Sequence, residues 1–226
     1  GTAVRTFTVN VTNVDQTLTV TTNKTVNEGT TLSVTDIGTF TDPGFDNPLN
    51  AGEKEETFTY SINWGDGTAA DTGTATRDVI GSPGVLTRGS LDGSHIYADN
   101  GVYTVTVTVN DDGGTDSATF TVTVNNVAPT VTATADKTVN EGQTLSITDI
   151  GTFTDPGFDD PARPGISTLS PLSALPNWGD GTPPVISTPT IDQAGSRGVP
   201  TQGSLDGSHV YADNGTYTVT VTVTDD

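Results

Sequence analysis

One block of this chain occurs twice, and the repetition limits the possible folds more than any other feature of the sequence. Residues 24–45 (KTVNEGTTLSVTDIGTFTDPGF) return as residues 137–158 with two substitutions, at an offset of 113 residues. Residues 89–112 return as residues 203–226 with three substitutions. Because similar segments adopt similar local structure, the chain must form two copies of one structural unit in series.

Each copy carries the periodicity of β-structure. Apolar side chains at 103, 105, 107 and 109 alternate with threonines, which predicts a half-buried strand. The Asp-Asn-Gly at 99–101 supplies the backbone freedom that a tight turn needs. Turn signals of this kind recur about every 8–12 residues, which is typical of an antiparallel sandwich. The sequence therefore predicts an all-β fold without an amphipathic helix.

The repeat boundaries do not coincide with the ends of the sequence. Residues 4–14 match residues 117–127, the last predicted strand of the first complete copy. We therefore predict three parts: 1–14 as the last strand of a preceding or neighbouring repeat, 15–127 as a first sandwich, and 128–226 as a second sandwich that lacks its last strand. If the chain is a whole subunit, residues 4–14 would fill the vacant sheet edge of another copy. If it is a window of a longer polypeptide, the next repeat would make the same contact.

Two motifs in each copy resemble a known family. NWGDGT at 63–68, followed by HIYADNGVYTVTVTV at 95–109, resembles the PKD domain, an immunoglobulin-like sandwich common in large bacterial surface proteins. The resemblance implies tandem immunoglobulin-like sandwiches of PKD type in an extracellular or cell-surface adhesin, stalk or filament, with further copies of the chain, a surface glycan or another protein as partners. It implies no enzymatic activity. The alternative function is a carbohydrate-binding accessory module of a secreted hydrolase.

The composition of the chain limits the classes of partner that it can bind. The formal net charge of −20 argues against nucleic acids and anionic membrane surfaces, and favours divalent cations or a solvated acidic surface. The sequence has no cysteine, and no segment approaches the ~18 consecutive apolar residues of a membrane-spanning helix. Its two histidines occupy equivalent places in different copies. No feature of the sequence nominates a nucleophile with its base, so we expect no enzyme.

Four paired side chains have a structural interpretation and a functional one. Trp64 and Trp178 could stack on sugars, but the core position of a sandwich tryptophan is the favoured interpretation. Asp66 and Asp180 could bind metal, but aspartates beside glycine more often accept backbone N–H groups within their own turn.

The remaining aromatic and histidine pairs favour structural roles. His95 and His209 are predicted to be hydrogen-bonded structural groups. Tyr103 and Tyr217 resemble the tyrosine corner of immunoglobulin domains, in which the hydroxyl donates a hydrogen bond to a nearby backbone carbonyl.

Carboxylates and amides are predicted to converge at the end of each sandwich. Strand directions place the loop after the second strand and the loop before the last strand at one end of each sandwich, called its upper end. These loops therefore lie across a linker from the turn between the first two strands of the preceding repeat, which is at the opposite, lower end of that repeat. The arrangement resembles a cadherin junction, which implies Ca²⁺ bound by oxygen ligands. The predicted junction ligands are Glu28, Asn125, Asn126, Asp155, Asp159, Asp225 and Asp226. The corresponding site above the first repeat would use Asn13, Asp15, Asp42, Asp46, Asp111 and Asp112. In the alternative interpretation these residues only cap turns and maintain solubility.

Overall fold

The computed structural model describes residues 1–47, 49, 56–159 and 173–225, and it is built from β-strands. The strands of the first repeat are β1 (Thr17–Val20), β2 (Lys24–Asn27), β3 (Thr31–Asp42), β4 (Thr59–Asn63), β5 (Asp71–Thr74), β6 (Thr76–Val79), β7 (Thr87–Ile96), β8 (Gly101–Asn110) and β9 (Thr115–Asn125). The strands of the second are β10 (Thr130–Ala133), β11 (Thr144–Asp155), β12 (Ser173–Asn177), β13 (Thr190–Gln193), β14 (Thr201–Val210) and β15 (Thr220–Thr224). Among these described residues there is no helix that could cross a membrane. The all-β prediction is confirmed.

The first repeat forms two facing sheets. Their strand orders are β1-β3-β7-β6 and β2-β9-β8-β4-β5, and adjacent strands are antiparallel except for β2 and β9. The alternating side chains predicted from the sequence point into the space between the sheets, because successive residues of a strand face opposite sides. The buried core includes Ile37, Phe40, Phe58, Ile62, Trp64, Tyr97, Val105, Val107, Phe120 and Val122.

The second repeat has the same first sheet and a smaller second one. Its strand orders are β10-β11-β14-β13 and β12-β15. Both repeats have a β-bulge, at residues 34–38 of β3 and at residues 147–151 of β11. Within these bulges Asp36 and Asp149 both adopt positive φ angles, of 51° and 56°. Each donates its backbone N–H to an aspartate on the adjacent strand, Asp92 or Asp206. The core contains Ile147, Ile150, Phe153, Ala174, Trp178, Leu205, Tyr211 and Val223.

Residues 1–16 precede the first strand and belong to no sheet. Phe7 is 89% exposed, whereas its counterpart Phe120 in β9 is 4% exposed. Val9 and Val11 are exposed in the same way, although their counterparts Val122 and Val124 are buried. That residues 4–14 serve as the last strand of a neighbouring repeat therefore stays a prediction.

Candidate metal centre at the junction of the repeats

Glu28 lies in the turn that leaves β2, at the end of the first sandwich facing the second. Its backbone N–H donates to the Asn125 carbonyl at 3.1 Å, and the N–H of Gly29 donates to the Tyr97 carbonyl at 2.9 Å. Gly29 has a φ of +67°, a conformation that glycine adopts without steric cost. These bonds hold the Glu28 side chain at the junction, where the residue is only 4% exposed.

Two aspartates of the second repeat meet this glutamate. Asp155 ends β11, is buried, and accepts the Gly157 N–H at 2.7 Å through Oδ1. Asp225 directly follows β15 and is half-buried. One carboxylate oxygen from each of Glu28, Asp155 and Asp225 lies within 4.8 Å of the other two. Oxygen donors at such spacing can share one hard cation, because Ca²⁺ binds oxygens at about 2.3–2.6 Å.

The linker between the repeats is fastened to the same carboxylates. The Val127 N–H donates to Glu28 Oε1 at 2.7 Å, and Asn126 Nδ2 approaches Asp225 Oδ1 at 3.3 Å. Asn125 instead directs its Nδ2 toward Asn27 Oδ1, also at 3.3 Å. Thus the linker bonds directly to one carboxylate from each repeat.

The repeats also pack directly on each other. The buried Phe158 donates its backbone N–H to the Ala98 carbonyl at 3.1 Å. A Cβ atom at Gly29 would lie 2.4 Å from the Pro156 carbonyl oxygen, so this position has no room for a side chain. The three carboxylates therefore lie beside a close contact between the two repeats.

Burial and like charge both affect the acidity of Glu28. Its pKa is raised to about 7: burial raises it most, the hydrogen bond from Val127 lowers it, and the nearby charges of Asp155 and Asp225 raise it further. A proton or a cation would relieve this repulsion, and a divalent cation could compensate several carboxylates at once.

The structure brings together only part of the predicted junction set. Glu28, Asp155 and Asp225 form the cluster, and Asn126 contacts it through Asp225. Among the described carboxylates, the cluster does not include Asp159, and Asn125 directs its Nδ2 toward Asn27. Asp226 lies outside the described residues.

Above the first repeat, the predicted acidic residues lie around the end of β3. The buried Asp42 accepts the Gly44 N–H, and Asn13 Nδ2 approaches Asp111 Oδ1 at 3.4 Å, as Asn126 approaches Asp225. Asp15, Asp111 and Asp112 line one shallow depression. Asp46 forms an ion pair with Arg77 at 2.8 Å.

The histidines form a buried aromatic group that the sequence motif did not indicate. His95 Nε2 lies 2.6 Å from Asp66 Oδ2, and the imidazole stacks on Trp64 with ring centroids 4.8 Å apart. Tyr97 donates to the Trp64 carbonyl. Although burial opposes ionisation, hydrogen bonds from His95 and Thr68 lower the pKa of Asp66 to about 2.

These contacts confirm the structural interpretations of the paired residues. The Thr68 N–H donates to Asp66 Oδ1, as predicted for the turn. In the second repeat, His209 lies 2.8 Å from Asp180 and stacks on Trp178. Both tryptophans are buried, so neither presents a face to a sugar ring.

The tyrosine corner is also confirmed in both copies. The hydroxyl of Tyr103 donates to the Asp99 carbonyl at 2.9 Å, and that of Tyr217 to the Asp213 carbonyl at 3.0 Å.

Sequence reasoning missed one acidic residue, Glu56. It lies at the end of the long loop between β3 and β4, and its pKa is raised by burial and by the charges of Asp112 and Asp42. The charged segment Glu-Lys-Glu-Glu at 53–56 was the only signal, and it has no periodicity that could place Glu56.

Comparison with known proteins identifies one family. The PKD domain family matches residues 12–124 of the chain. A solved structure of a chimeric titin Z1Z2-Z1Z2 tandem, functionalised with a GRGDS peptide from fibronectin, is 13% identical and covers 93% of this chain and 97% of its own, with a TM-score of 0.25. No curated protein matches the chain.

Proposed function

Since residues 12–124 show that the chain belongs to the PKD domain family, we propose that it is a structural repeat module of an extracellular adhesin, stalk or filament. Domains of this family are typically non-catalytic and are common in extracellular proteins. In this function, Ca²⁺ at the junction holds successive repeats in one orientation, and strand addition through residues 4–14 joins copies of the chain.

The observation that carries the calcium proposal is the convergence of Glu28, Asp155 and Asp225 across the contact between the repeats. Glu28 and Asp155 are almost fully buried, and burying carboxylates near one another costs free energy unless a counter-charge is present. A bound cation would supply that counter-charge and would oppose bending of the linker.

Thermal unfolding with and without calcium tests this proposal. Saturating Ca²⁺ should raise the melting temperature over that in EGTA, because a ligand that binds only the folded state at 100 times its Kd stabilises it by about 2.7 kcal/mol. Glu28→Gln and Asp155→Asn should each reduce the gain.

A control for these variants must remove one charge outside the junction. Asp78 is exposed on β6, so Asp78→Asn should keep the full calcium response. Equal melting temperatures in Ca²⁺ and EGTA for the unmodified chain would rule out the calcium proposal.

Strand addition is supported by a match between an exposed segment and a sheet edge. Phe7, Val9 and Val11 alternate along residues 4–14, as Phe120, Val122 and Val124 do in β9. In the second repeat, β15 pairs only with β12 within the described part of the chain. A strand from a second copy would supply backbone hydrogen bonds along β15 and cover its apolar neighbours.

Sedimentation over a concentration series tests the strand contact. The chain should associate head to tail, because one copy offers the segment and the next offers the edge. Phe7→Asp should weaken association by at least about tenfold, since it removes an aromatic side chain that the contact would bury. Asn10→Asp adds the same charge at the position of the exposed Thr123 and serves as the control. A chain that remains monomeric at all concentrations would exclude assembly through this segment.

A further inference from the structure

The carboxylate of Glu56 lies beside Asp42 of the first repeat, as the carboxylate of Glu28 lies beside Asp155 of the second repeat. A Cβ atom at Gly44 would lie 2.8 Å from Asp42 Oδ1 and 2.9 Å from Glu56 Oε1. At the equivalent Gly157, a Cβ atom would lie 3.0 Å from Asp155 Oδ1 and 3.6 Å from Glu28 Oε2. One glutamate therefore comes from the same repeat, and the other comes from the neighbouring repeat.

The carboxylate that Glu56 approaches is buried and incompletely bonded. Asp42 is 1% exposed, and its Oδ2 atom has no hydrogen-bond partner among the described residues. Asp111 faces it closely enough to accept a hydrogen bond if Asp42 is protonated, and burial followed by the charges of Asp111 and Asp112 raises the pKa of Asp42. A buried carboxylate oxygen without a donor costs free energy, which a coordinated cation would recover.

An ion pair holds Glu56 in place. Its backbone N–H donates to Asp46 Oδ1, while Asp46 Oδ2 binds Arg77 at 2.8 Å. Arg77 pairs with Gly89 in the first repeat, and Ile191 pairs with the equivalent Gly203 in the second. Isoleucine cannot make this ion pair, so the position opposite Gly203 supplies no guanidinium group in the second repeat.

We propose that Glu56 completes a second site for a hard divalent cation of the Ca²⁺ class, contained within the first repeat. Asp42 Oδ2 and the Glu56 carboxylate are its central ligands, and Asp111 and Asp112 supply further oxygens. The proposal rests on the proposed function for the type of cation. The two sites differ in the origin of the glutamate. Glu56 belongs to the same repeat as its aspartate, whereas Glu28 belongs to the repeat that precedes Asp155.

Calorimetric titration of the chelator-treated chain with Ca²⁺ tests this inference. The unmodified chain should show two classes of sites. Glu56→Gln should weaken one class by at least about tenfold, because calcium affinity follows the charge of the ligands. Glu28→Gln should weaken the other class, and Asp78→Asn should change neither.

Arg77→Ile provides a variant that leaves all proposed ligands intact. It should weaken the same class as Glu56→Gln by about tenfold, the usual effect of losing a residue that orients a ligand. Circular dichroism of each variant would verify folding. Two unchanged classes in both Glu56→Gln and Arg77→Ile would overturn the inference.

The two glutamates separate this inference from the junction proposal. If only Glu28→Gln loses a class of Ca²⁺ sites, the result would support the junction site and refute a role for Glu56. Loss in Glu56→Gln alone would support the site in the first repeat and refute the junction site.

Discussion

The two repeats contain an identical tetrapeptide that has two different structures. Lys-Thr-Val-Asn at 24–27 is β2, but the same four residues at 137–140 belong to no strand. In the described part of the first repeat, β2 pairs only with β9. A strand persists only where backbone groups find partners, so the difference follows from the presence of β9 and not from the tetrapeptide.

The next strand shows the same effect. Residues 101–105 of β8 pair with β9 alone, whereas residues 106–110 also pair with β4. In the second repeat, residues 215–219 are the counterparts of residues 101–105, and they are not in a strand. The strand β15 begins only at Thr220, where pairing with β12 begins. One strand therefore accounts for most of the difference between the second sheets of the repeats.

The largest expected effect comes from supplying that strand. Fusing the sequence of residues 113–127 after residue 226 should stabilise the second repeat by about 5 kcal/mol, since three buried apolar side chains contribute about 1.5–3 kcal/mol each. Hydrogen exchange should then slow at residues 137–140 and 215–219. A tail with serine at its three apolar positions is the control, and equally fast exchange with both tails would contradict the comparison.

Replacing each histidine by alanine should reduce stability more where the histidine is more deeply buried. His95→Ala leaves Oδ2 of the buried Asp66 without its partner and should cost about 3–5 kcal/mol. His209 and Asp180 are more exposed, so His209→Ala should cost clearly less free energy of unfolding than His95→Ala. Urea denaturation of both variants measures the difference. Equal losses would show that the smaller second sheet does not weaken this aromatic group.

The smallest effect concerns pH. The pKa of Glu28 is raised from 4.5 to about 7 in the folded chain, so between these values the folded state holds a proton that the unfolded state has released. In EGTA, stability should therefore increase as the pH falls from about 8 to 5, by about 1–2 kcal/mol.

Glu28→Gln should reduce this dependence on pH. Glu141→Gln changes the equivalent, exposed turn of the second repeat and should retain it. Identical pH profiles for the two variants would show that burial at the junction does not control this proton.

Much of the fold and part of the site follow from the sequence. Alternating residues predicted the strands, and antiparallel topology predicted that Glu28 would meet Asp155 and Asp225 across the linker. Glu56 could not be predicted, because its loop has no periodicity and its position depends on Arg77, a distant residue on β6. The pairing of His95 with Asp66 was hidden for the same reason, since 29 residues separate them.

The sequence by itself determined the local features common to both repeats: the alternation of the strands, the turns with positive φ, the tyrosine corners and the buried tryptophans. Only the tertiary structure decided which copy of an identical segment becomes a strand and which glutamate faces each buried aspartate. The reason is physical. Side-chain alternation is encoded residue by residue, but backbone hydrogen bonds and charge contacts require a partner that the rest of the fold must provide.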